Sequence, residues 1–198
     1  MIRNILGLLL LLTSLSVQSE ETTPWPFDGL EGVSGTFTSD TQGPSGDTLR
    51  SSGRFSSLKP DHYLWDIQTP DSQMLVVNST GFWQVDRDLD VVILRDVPSS
   101  TQLPLSKIWL DEAELTAFSK EVTEGSMEAI GAFELRVVSP TLLEMRLADP
   151  LGRETLFQLT IESMVAPTRE AFDVRVPPNV DFFDERSIKP TSNAKAFK

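Results

Sequence analysis

No cysteine occurs in the 198 residues, and histidine and tyrosine appear once each, as His62 and Tyr63. The first absence excludes disulfides and thiolate metal sites. The scarcity of histidine excludes multi-histidine metal centres and makes any catalytic triad depend on one residue beside a turn, where an exposed structural role is expected for His62. Positive charge is also scarce: 17 Lys and Arg stand against 29 Asp and Glu, for a net charge of −12. Bulk electrostatics therefore repel nucleic acid and anionic membranes, and no nucleic-acid partner is expected. The densest apolar run, Ile5 to Leu12, falls short of the roughly 20 residues that a membrane-spanning helix needs. It follows Met1-Ile2-Arg3-Asn4 and precedes Val17-Gln18-Ser19, which is the layout of an export signal. Residues 1–19 are read as that signal. With no cysteine after it to carry a lipid, the mature chain is expected to be exported, soluble and unanchored.

What the chain does have is period-two alternation. Phe133/Leu135/Val137, Leu143/Met145/Leu147, Phe157/Leu159/Ile161 and Phe172/Val174/Val176 each place apolar residues on one face of a strand, with charged or polar residues between them. Upstream, strands are expected at Gly35 to Ser39, Leu49 to Leu58, Tyr63 to Ile67, Gln73 to Asn78, Phe82 to Asp86 and Val91 to Leu94. Gly53 is a candidate for a bulge or a close approach. Between Ser99 and Ser119 the spacing changes to three and four residues (Leu105, Ile108 and Trp109, then Leu115 and Phe118), which predicts two short helices, the second capped by Asp111. Pro24 and Pro26 keep any opening helix short. The fold class is α+β and mostly β: a single curved antiparallel sheet enclosing apolar space, with short helices on it. One domain is expected over 20–184, with a flexible tail over 185–198.

Motifs that imitate catalytic or metal sites have plainer readings. Asp111/Glu112/Glu114 suits a helix start better than a pair of catalytic carboxylates. Asp86/Asp88/Asp90 lacks the glycine and the glutamate that complete a calcium loop, and reads as a solvated hairpin. There is no glycine-rich phosphate loop. No enzyme activity, cofactor or metal is expected.

The residues Leu58-Lys59-Pro60-Asp61-His62-Tyr63-Leu64-Trp65, then Thr69-Pro70 through Val76-Val77, Gly81-Phe82-Trp83-Gln84-Val85-Asp86 and Phe172 through Asp181 follow in an order that resembles the LolA family of periplasmic lipoprotein carriers. The resemblance runs from about Val33 to Asp184. It implies an unclosed half-barrel whose helices form a lid over a hydrophobic cavity. It also implies that the protein takes acylated lipoproteins from an inner-membrane releasing complex to an outer-membrane receptor, as a monomer in the periplasm. The cavity candidates are Phe55, Trp65, Trp83, Leu143, Met145, Phe157, Leu159 and Ile161, with Leu105, Ile108 and Trp109 from the lid. Alternating apolar residues serve a plain core equally well. Where the family commonly has an arginine that holds the lid, this chain has Lys59, a point charge without the planar fork. The family's amphipathic first helix is reduced here to the proline-interrupted Thr22 to Leu30. A sensing module on the same fold, binding lipid or lipoprotein without moving it, is the alternative.

Overall fold

The computed structural model describes residues 25–43, 45–97, 104–125 and 130–187. The expected signal segment, and the tail from residue 188 onward, lie outside them. Ten strands form one sheet: β1 Gly32–Gln42, β2 Thr48–Leu58, β3 His62–Thr69, β4 Gln73–Asn78, β5 Gly81–Asp86, β6 Val91–Arg95, β7 Ala132–Ser139, β8 Leu142–Ala148, β9 Glu154–Ser163 and β10 Asp181–Asp184. Their spatial order is β10-β6-β5-β4-β3-β2-β1-β9-β8-β7, so the sheet stays open, with β10 and β7 as its edges. This is the expected half-barrel.

All pairings are antiparallel except the last, β10 beside β6, which is parallel. The register places Phe37 beside Leu159 and Gly53, and Phe55 beside Gly35 and Trp65. Those two glycines sit where the neighbouring backbone comes closest. A Cβ at Gly53 would run into the Asp66 carbonyl oxygen, and one at Gly35 into that of Thr160. The register also shifts beside each of them. Gly53 thus has the close approach its place in the strand suggested.

The two helical segments form as the spacing predicts. Residues Pro104–Trp109 make a 3-10 turn, and α1 spans Glu112–Thr123. Asp111 closes a capping box, accepting from the Glu114 N–H at 2.8 Å while its own N–H donates to the Glu114 carboxylate at 3.0 Å. The opening segment contains only a turn at residues 26–29.

One expected strand is absent. Phe172 ends a short 3-10 turn, Arg169–Phe172, and 173–180 run without strand pairing. Two consecutive prolines deny this segment the N–H groups a ladder needs. The chain crosses the outer face of the sheet instead. Phe172 is fully buried there, its ring edge-on to His62 at 5.6 Å, and its carbonyl accepts from Asn78 Nδ2 at 2.8 Å. His62 is therefore buried rather than exposed, because Phe172 covers it. Beyond β10, Glu185 donates its N–H to the Leu94 carbonyl and Ser187 its N–H to Asp96.

Candidate lipid-binding site

Alternation along the register assigns each side chain to a face. The inner face carries Phe55 from β2, Tyr63 and Trp65 from β3, Leu143 and Met145 from β8, and Phe157, Leu159 and Ile161 from β9. Phe55, Leu143, Leu159 and Ile161 pack into one buried cluster with Leu105 and Ile108 of the 3-10 turn, and Trp65, Phe157 and Trp109 lie against it. Met145 belongs to a neighbouring cluster with Leu115, Phe118 and Val122 of α1; Trp25, Leu135 and Phe157 touch both. Apart from Trp83, every cavity and lid candidate from the sequence is thus on this inner side.

Trp83 is on the opposite face. It pairs with Val76 and Leu94, its ring stacks on Phe182 at 6.1 Å, and its indole N–H donates to Thr80 Oγ1 at 2.9 Å. The inner position on β5 belongs to Phe82, which packs against the main cluster. Trp83 and Val85 form the more apolar phase of β5, and Phe182 gives Trp83 a partner on the outer face, so alternation points to the wrong side here.

The lid fills the interior in this conformation. Ile108 and Leu159 are 0% exposed, Phe55 and Leu143 1%. Phe27 joins the same cluster, its ring edge-on to Trp109 at 6.1 Å. Three contacts join the lid segment to its surroundings. Trp109 Nε1 donates to Ser57 Oγ at 2.8 Å, Trp25 Nε1 donates to the Ile108 carbonyl at 3.4 Å, and Lys59 Nζ lies 4.9 Å from the Trp109 ring centre. Lys59 therefore reaches the lid through the ring face of Trp109, a cation–π contact that suits a point charge. Ser57 is fully buried, so its hydroxyl is a committed partner.

Two buried ionisable groups sit near the lid. Tyr63 donates its hydroxyl to the Pro60 carbonyl at 3.0 Å, and burial, with Asp61 nearby, pushes its pKa up to about 12. Lys107 lies under the Phe118 ring, 4.2 Å from its centre; burial lowers its pKa, while Glu121 acts the other way.

Where α1 meets β7 the packing opens. A groove of about 1210 Å³ runs between them, with Leu115, Phe133, Leu135 and Val137 among its apolar walls and Glu112, Lys120, Glu124, Glu134 and Arg136 among its charged ones. No cluster of three or more potential metal ligands occurs among the described residues, and no described helix is long and apolar enough to cross a membrane.

Fold and site together define an open half-barrel with a lidded apolar interior. The chain belongs to the LolA family: the model described as outer membrane lipoprotein carrier protein LolA matches residues 28–175. Among curated relatives it is similar to the outer-membrane lipoprotein carrier protein of Alkalilimnicola ehrlichii, 29% identical over 171 residues and 80% of each chain. That of Francisella tularensis is 25% identical over 72% of this chain and 76% of its own. That of Vibrio cholerae is 23% identical over 79% and 85%.

Proposed function

We propose that this protein binds the acyl chains of lipoproteins against the inner face of its sheet and carries them through the periplasm. It collects them from an inner-membrane releasing complex and delivers them to an outer-membrane receptor, as a monomer that catalyses no reaction. The observation that carries this reading is the packing of Leu105 and Ile108 onto Phe55, Leu143, Leu159 and Ile161. The lid's own side chains occupy the place an acyl chain needs.

A buried methylene contributes ~0.8 kcal/mol, so a sixteen-carbon chain gains roughly 12 kcal/mol on leaving water. The bilayer offers the same gain, and a carrier must match most of it and still let go. Lid residues worth roughly 1.5–3 kcal/mol each compete for the same surface. Loading displaces them, and their return favours release. The bond from Trp109 to Ser57 and the Lys59 contact set how readily the lid lifts.

The test is release of radiolabelled lipoproteins from spheroplasts into the soluble fraction. The mature protein is expected to release them as a stoichiometric complex, and a folded Leu159→Asp variant to release none. No release from spheroplasts that do release cargo to their own carrier would reject the proposal.

A further inference from the structure

The groove between α1 and β7 runs along a strand edge whose backbone polarity can be worked out. The Ile161 N–H donates to the Thr141 carbonyl at 2.8 Å. In an antiparallel ladder, residues directed at one neighbour alternate with residues directed at the other. Residues 143, 145 and 147 of β8 therefore bond to β9, and 144, 146 and 148 to β7. Glu134 and Arg136 face Arg146 and Glu144 in register and so carry the ladder bonds of β7. The Ala148 carbonyl accepts from the Gly131 N–H just ahead of β7, so Ala148 is directed at β7 as that phase requires. Phe133, Leu135 and Val137 then direct their N–H and C=O groups away from the sheet. Ser119 Oγ donates to the Phe133 carbonyl at 2.9 Å, as that phase requires. Among the described residues no partner meets the outward groups of Leu135 and Val137.

The same two residues turn their side chains onto the apolar wall, so a single groove offers both a greasy surface and a strand edge. An acylated polypeptide has both matching parts. The charge on the walls narrows the choice further. Lys120 is held by Glu124 at 3.7 Å and Arg136 by Glu144, whose carboxyl that guanidinium keeps below its usual range. Glu134 lies opposite Arg146 in register and near the Arg136 charge, which leaves Glu112 to face the occupant in a chain whose net charge is −12. The geometry points to strand addition: the residues that follow the acylated one in the cargo pair with the free edge of β7 at Leu135 and Val137, and a neutral or basic sequence is preferred there. This rests on the carrier reading above.

Proline at position 135 tests it cleanly. It deletes an outward N–H and leaves the β7–β8 ladder bonds in place, the one setting in which an edge strand tolerates proline. Affinities are measured for Leu135→Pro and Leu135→Ala with two probes: a synthetic lipopeptide of diacylglyceryl-cysteine and five neutral residues, and palmitate alone. The lipopeptide is expected to bind Leu135→Pro about five-fold more weakly than Leu135→Ala, the effect of one hydrogen bond. Palmitate is expected to bind the two variants alike. With the wild-type protein, N-methylation of one alternate set of peptide nitrogens weakens the lipopeptide by a similar factor, which decides the matter if the proline variant does not fold. Replacing two peptide residues by glutamate weakens binding, and replacing them by lysine does not. Equal wild-type affinity for both methylated forms and the parent lipopeptide would overturn the strand-addition proposal while leaving the carrier reading intact. Failure of the wild-type protein to bind either lipopeptide or palmitate would overturn both.

Discussion

The two halves of the sheet are built from similar strands and finished differently. From β3 to β6 both faces are covered. The inner face carries Tyr63, Val77 and Phe82, while the outer face buries His62, Val76, Val92 and Leu94, with Phe172 covering His62 and Trp83 stacked on Phe182 of β10. From β9 to β7 only the inner face is covered, and the outer face shows Glu134, Arg136, Glu144, Arg146 and Gln158 to solvent. The first half is clamped by the returning chain, and the second is held from one side and ends in an open groove. The carrier proposed above has to hold one shape and still open, and the two kinds of construction suit those two demands. Rigid strands are served by double coverage, and the half that is packed on one side has less to break when a helix moves.

Breaking the clamp has the largest expected effect. Phe172→Ala empties a fully buried ring site on the outer face and is expected to cost about 3–5 kcal/mol, read from urea unfolding; a loss below about 1 kcal/mol would show the clamp to be dispensable. Next comes pH. The pKa of Tyr63 is raised from 10.0 to about 12 by folding, so its contribution is complete below pH 10 and is lost as pH rises through 12. Wild type is expected to lose about 2 kcal/mol across that window relative to Tyr63→Phe, and parallel pH curves would contradict it. Asn78→Ala removes the donor to the Phe172 carbonyl together with an acceptor for Thr80. About 1–3 kcal/mol of lost stability is expected, with lipid binding unchanged under folding conditions. Trp109→Phe keeps the ring but loses the bond to Ser57; about 1 kcal/mol is expected, seen as faster amide exchange in residues 104–110 while the β3–β6 amides stay protected. Smallest is Lys59→Met, which deletes the ring contact at about 0.5–1 kcal/mol and is expected to raise cargo loading slightly. An unchanged loading curve would remove Lys59 from the lid.

Most of the half-barrel was legible in the sequence because one-sided strands write their faces plainly. Phe157/Leu159/Ile161 and Leu143/Met145 alternate with polar residues, and the structure puts them where that alternation points. The same logic failed where a strand is buried on both sides. In Gly81-Phe82-Trp83-Gln84-Val85-Asp86 the more apolar phase is Trp83 with Val85, yet it faces outward, and the inward residue is Phe82, whose phase continues with Gln84 and Asp86. The returning chain explains that miss and two others. Phe172/Val174/Val176 has the spacing of a strand, but Pro177 and Pro178 follow it and Phe172 is taken up by the outer face. His62 sits beside a turn, where exposure is the usual outcome, and is covered by a residue 110 positions later in the chain. The groove beside β7 had no signature either. Whether a strand is an edge depends on pairing that its own residues do not encode.

The chain has four tryptophans, and their distribution has a practical consequence. Trp25, Trp65 and Trp109 lie within or against the inner cluster, two of them bonded to or through the lid, while Trp83 is stacked beneath the clamp on the far side. The molecule therefore contains its own optical gauge. On the carrier reading proposed above, loading lifts the lid, and the emission of three indoles is then expected to shift against the steady signal of the fourth. A Trp83→Phe background would remove that constant, and its fluorescence trace is expected, on the same reading, to follow cargo entry in real time without a dye.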